Sequence, residues 1–103
     1  MQYKIDGNIQ YQTQAEGDAC LAYLDTWLVT HALDVTAQSH TLAAMDPPHA
    51  EGCVCQLTLT IYLEVATAAA GAALEAEIGA QIYDGGGLGT ADCDSVYGGL
   101  PVP

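Results

Sequence analysis

The sequence predicts an α+β fold, a ferredoxin-like split βαβ layer with two helices on one face of a small antiparallel sheet. Two observations carry that prediction. Apolar residues alternate with a period of two over residues 3–13 and 53–65, and recur every three to four residues over 17–33 and 67–82. A weaker extended stretch lies between them at 35–44. The order is therefore strand, helix, strand, strand, helix (βαββα), with room for a short fourth strand near Ser95 to Tyr97.

The first strand places Tyr3, Ile5, Ile9, Tyr11 and Thr13 on one side, with Gly7 among them. Lys4, Asp6, Asn8, Gln10, Gln12 and Gln14 fall on the other, as in a strand with one wet face. Gly7 reads as a bulge or a close approach. In the first helix, Cys20, Leu21, Leu24, Trp27, Leu28, His31 and Ala32 form an apolar stripe. Acidic Glu16 and Asp18 suit its N-terminal dipole, and Asp34 is expected to close it. The prolines and glycine of Met45-Asp46-Pro47-Pro48-His49-Ala50-Glu51-Gly52 predict a loop. Cys53, Cys55, Leu57, Leu59, Ile61, Leu63 and Val65 then mark the strongest core-facing strand. Ala70, Leu74, Ile78 and Ile82 set the stripe of the second helix. The expected organisation is one α+β domain over residues 1–84 and a Gly/Pro-rich C-terminal tail, 85–103, packed on it.

Composition narrows the function. The 103 residues include 13 acids, one lysine (Lys4) and no arginine, giving a formal charge of -12. Charged residues are only 14% of the chain, against a typical ~25%, so the bases are missing while the acids are ordinary in number. Nucleic-acid and phosphate recognition rely on clustered Lys and Arg, and so does attachment to anionic lipid. The reading is no nucleic acid and no membrane. Residues Met1 to Asp6 contain no apolar segment of the secretory type. The expectation is synthesis in the cytoplasm without a targeting signal, with release in a particle (virion or extracellular) as a route outward.

The topology makes its own prediction about the cysteines. In a split βαβ sheet, the starts of the third strand (Cys53, Cys55), of the first helix (Cys20) and of the tail (Cys93) converge at one end. Three readings compete: two disulfides, a zinc site, or buried thiols. The specific expectation pairs Cys20 with Cys53 or Cys55, and the other with Cys93. Cys-x-Cys is not the usual zinc spacing, and His31, His40 and His49 form no H-x-x-x-H. Asp84, Asp92 and Asp94 lack the EF-hand pattern, so neither a metal nor a cofactor is assigned. The glycines at 85–89 follow a helix, the wrong side for a phosphate cradle. G-x-S-x-G and H-E-x-x-H are absent, and a Cys53–His49 pair has no cationic neighbour to lower the thiol pKa. No catalytic residue is assigned, and the protein is expected not to be an enzyme.

Two functions from different classes remain in front. The first is a structural or interaction subunit of a larger assembly, such as a virion or another extracellular particle component. Its partners would be copies of itself or other protein subunits, reached through a Thr/Gln-rich sheet face or edge. The alternative is a small binding module for a cationic or apolar ligand, with Tyr11, Trp27 and Tyr62 around the pocket. A DNA mimic is the weakest reading, because the acids are scattered over every element.

Overall fold

The computed structural model describes residues 1–103. Six elements follow in order: β1 (Gln2–Tyr11), α1 (Gln14–Thr30), β2 (Val35–Ala44), β3 (Cys55–Glu64), α2 (Ala68–Ile82) and β4 (Asp92–Pro101). The strands form one sheet in the order β2-β3-β1-β4, with every neighbouring pair antiparallel. Both helices pack against one face of it. The α+β class read from the alternation therefore stands. Neither helix is long and apolar enough to cross a membrane.

The core follows the period-two pattern. Tyr3, Ile5, Ile9 and Tyr11 of β1 and Cys55, Leu57, Leu59, Ile61 and Leu63 of β3 are buried against Cys20, Leu24 and Trp27 of α1 and Ile78 and Ile82 of α2. Each large aliphatic side chain contributes about 1.5–3 kcal/mol through burial. At the outer edge, β2 is mostly exposed and carries an irregularity between Val35 and Ala37.

The helix starts were encoded in a signal that hydrophobic periodicity passes over. Thr13 caps α1: its Oγ1 accepts the Glu16 N–H at 3.2 Å and donates to Glu16 Oε1 at 3.0 Å. Thr13-Gln14-Ala15-Glu16 matches the S/T-x-x-E capping pattern, so the helix begins before Asp18. It also ends before Asp34. His31 forms the C-cap, its backbone N–H donating to Trp27 O, and its ring stacks on Trp27 at 4.2 Å. Thr67 caps α2 through a bond from the Ala70 N–H at 3.1 Å.

The tail departs most from expectation. Instead of a short strand near Ser95–Tyr97, ten residues from Asp92 to Pro101 pair along β1. Glycine-rich sequence is a poor strand former on its own. Here the neighbours require it: a Cβ at Gly99 would lie 2.6 Å from Tyr3 Cε1. The register shifts between Asn8 and Gln10, and there the Gln10 N–H donates to Ser95 Oγ at 2.7 Å.

Gly71 marks the closest approach of α2 to the sheet, since a Cβ there would collide with the Tyr3 ring. Gly→Ala inside a helix normally stabilises by about 1 kcal/mol. At Gly71 the expected sign is reversed, with a loss of about 1–3 kcal/mol from overpacking. At Gly86 a Cβ meets nothing within 4 Å, so Gly86→Ala serves as the near-neutral control. Urea denaturation of the two variants checks the contrast; a more stable Gly71→Ala protein would refute it.

Candidate functional site

Two regions of the molecule gather chemically interesting side chains: the end where the cysteines converge, and the sheet face that carries no helix. At the first, Cys53 and Cys93 form a disulfide across a sequence separation of 40. It ties the loop before β3 to the start of β4. Cys93 has φ 54°, in the left-handed region, and its N–H is held by Asp92 Oδ1 at 2.9 Å.

Polar clasps surround the disulfide. Glu51 N–H donates to His49 Nδ1 at 3.0 Å, which leaves the ring proton on Nε2. Nε2 lies 2.8 Å from Asp94 Oδ2 and donates to it. Gln12 Nε2 donates to Glu51 O and to Asp92 Oδ2, each at 3.1 Å. His49, Glu51 and Asp94 bring one nitrogen and two carboxylates within 4.8 Å of one another, a spacing that could hold a metal ion. The tautomer opposes that use. A metal at Nε2 would displace its proton to Nδ1, where the Glu51 N–H already points. The cluster is a clasp of loop to strand.

The remaining cysteines differ from the two-disulfide expectation. Cys20 and Cys55 are free, buried thiols, so Cys20 pairs with neither Cys53 nor Cys55. The start of β3, between Cys53 and Cys55, explains the split. Cys55 opens β3 and turns into the helix layer, where its Sγ lies 3.6 Å from Thr13 O and where a Cβ at Gly17 would come within 2.6 Å of it. Cys53 precedes the strand and is free to turn toward β4. Cys20 is enclosed beneath Gly89. Burial pushes both thiols up; the Tyr11 hydroxyl partly offsets this at Cys20, and Asp18 and Glu16 add to it at Cys55. That is the opposite of nucleophile activation.

Tyr11, Trp27 and Tyr62 do not share a pocket. Tyr11 lies fully buried and donates its hydroxyl proton to Ile82 O at 2.6 Å. Trp27 belongs to the same core and donates Nε1–H to Glu77 at 3.0 Å. Tyr62 stands on the opposite face of the sheet, beside Lys4. Period-two alternation separates position 11 from position 62 across the sheet, so this mismatch was legible from spacing alone.

The open face is built in rows by the register. One row holds Ala37, Tyr62, Lys4 and Leu100; the next holds Ser39, Thr60, Asp6 and Gly98; the third holds Thr41, Thr58, Asn8 and Val96. Lys4 and Asp6 are the only charged residues in the three rows, and they pair at 3.4 Å. The other twelve acids lie on the helices, the loops and the ends of the sheet. Val96 and Leu100 are exposed at 61% and 73%, a short apolar strip on an otherwise polar face. Two recesses open on this side. One of ≈ 510 Å³ lies along Lys4, Asp6, Val96, Gly98 and Leu100. The other, of ≈ 230 Å³, lies along Ala37, Ser39, Thr60 and Tyr62. Sequence alternation identified this face as polar; the larger recess depends on β4, which extends well beyond the short strand expected near Ser95–Tyr97.

No family model, no curated protein and no solved structure matches the chain.

Proposed function

We propose that the protein is a non-enzymatic structural subunit of an assembly built from copies of this chain, joined through the open face of the sheet. The distribution of charge carries this reading. A chain of formal charge -12 repels its own copies over most of its surface, whereas the three central rows carry one positive and one negative side chain. The exposed Val96–Leu100 strip on the same face supports it further. A ferredoxin-like split βαβ arrangement is the fold proposed, on the strength of the element order and the strand order β2-β3-β1-β4. The disulfide favours an oxidising setting, and with it an extracellular particle such as a virion.

A second reading rests on the recess beside Lys4, Asp6, Val96 and Leu100, which offers a small apolar ligand two aliphatic walls, and a cationic one the Asp6 carboxylate once it displaces Lys4. Self-association better uses the whole face, including the second recess.

Sedimentation velocity and native mass spectrometry from micromolar to millimolar concentration test the proposal. A concentration-dependent dimer or larger species is expected, and Val96→Asp should return it to monomer while leaving the circular dichroism unchanged. A wild-type protein that stays strictly monomeric throughout would overturn it.

A further inference from the structure

Resting on that reading, we infer that the open face is complementary to itself about a two-fold axis, so that the assembly contains an isologous, face-to-face dimer. Consider a two-fold axis lying parallel to the face and perpendicular to the strands, between the Lys4–Leu100 row and the Asp6–Gly98 row. It sets each of these rows across from the other in the second copy. Lys4 then faces the partner's Asp6, and Asp6 faces the partner's Lys4. Leu100 stands over the partner's Gly98, and Tyr62 over the partner's Thr60.

The shapes agree with the charges. Leu100 and Tyr62 are the large side chains of their row, and the recesses open beside Gly98 and Thr60 in the other row. Gly98 is the telling residue. A Cβ there meets nothing within 4 Å, and its φ is not in the positive range. Neither packing nor backbone conformation within one chain requires glycine, although glycine weakens a strand interior. A close approach from outside does require it. One row further out, the same operation sets Asn8 across from the partner's Gln2.

The area is adequate for a specific but modest contact. Four strands about 4.8 Å apart and eight residues of about 3.4 Å rise make roughly 500 Å² per copy, or about 1,000 Å² in all. That lies just below the range for stable specific interfaces, as suits a weak dimer that forms with rising concentration. Sheets stacked this way lie about 10 Å apart with strands nearly aligned.

Charge exchange tests the pairing. Lys4→Glu sets two acids against each other twice per dimer, and Asp6→Lys does the same with two lysines. Each should weaken the homodimer on the order of 100-fold. Mixing the two variants should restore dimers of one copy each, because Glu against Lys and Asp against Lys are then the only facing pairs. The double variant Lys4→Glu/Asp6→Lys should homodimerise again. Gly98→Leu should abolish the dimer while the monomer keeps its thermal midpoint. Native mass spectrometry reads every arm, with circular dichroism confirming the fold. Single variants that dimerise normally, or a mixture that stays monomeric, overturn this pairing and leave self-association through another register. A wild type monomeric at every concentration overturns the self-association reading itself.

Discussion

Replacing Cys53 by Ala, or reducing the Cys53–Cys93 bond, is expected to lower stability by about 4 kcal/mol. The figure follows from chain entropy: a bond across a separation of 40 residues removes a long loop from the unfolded ensemble. For a domain of this size that loss corresponds to a fall of roughly 15–25 °C in thermal midpoint. Few other contacts secure this corner. The loop before β3 reaches β4 through the disulfide, the His49–Asp94 bond and the Gln12 bridge, and the last two lie on the exposed surface. Thermal melts with and without reductant measure the effect. Cys55→Ala separates the bridge from general thiol chemistry, because its melt should still respond to reductant. Equal midpoints for oxidised and reduced wild-type protein would refute the argument.

Alkaline pH is expected to unfold the protein in a way that neutral or mildly acidic pH does not. Tyr11 and Tyr97 are both pushed up, in each case first by burial; Cys20 adds to the shift at Tyr11, and Glu75 at Tyr97. Tyr3 and Tyr23 are raised by burial and then by Glu75 and Glu77 respectively, and Cys20 and Cys55 move the same way. The sign is the same for all six. Each group has a higher pKa folded than unfolded, so between the two values the folded state binds more protons. Stability is then fully present below the unfolded pKa and is lost as pH rises above it. The loss begins near pH 8.5–9 for the thiols and near pH 10 for the phenols. By pH 11, Tyr11 and Tyr97 together remove roughly 3 kcal/mol, at about 1.4 kcal/mol per group per pH unit. Urea midpoints between pH 8 and 11.5 report it. Tyr11→Phe should lower stability at pH 7 by about 1 kcal/mol through the lost bond to Ile82 O, and it should flatten the alkaline decline. A variant that declines as steeply as wild type would show that Tyr11 does not carry the effect.

Both predictions depend on placements that the sequence reveals unevenly. The Cys53–Cys93 contact was within the expected set, because topology alone brings both to one end of the sheet. Its companion was not formed: Cys55, the first residue of β3, is enclosed by Thr13 and Gly17, whereas Cys20 lies beneath Gly89. Similarly, Tyr11 and Trp27 read as pocket residues from their chemistry, whereas their positions on the inward stripes make them core. The tail offers the sharpest contrast. Residues 92–101 contain two consecutive glycines and few strong strand formers, so local propensity disfavours a strand. They form one because β1 would otherwise leave a row of backbone groups unpaired, and because Tyr3 leaves room only for glycine at position 99.

From the sequence alone came the elements with strong periodicity, the α+β class, the polar face of the sheet and the shortage of bases. These are properties of short windows and of counts, and hydrophobic burial enforces them wherever a core exists. Tertiary structure decided the rest: which two cysteines bond, how far β4 extends, and how the single lysine comes to balance an acid on the one face with little charge. Each of these turns on which residues stand opposite one another across strands. That pairing is set by register and packing between segments tens of residues apart, and local sequence carries little trace of it.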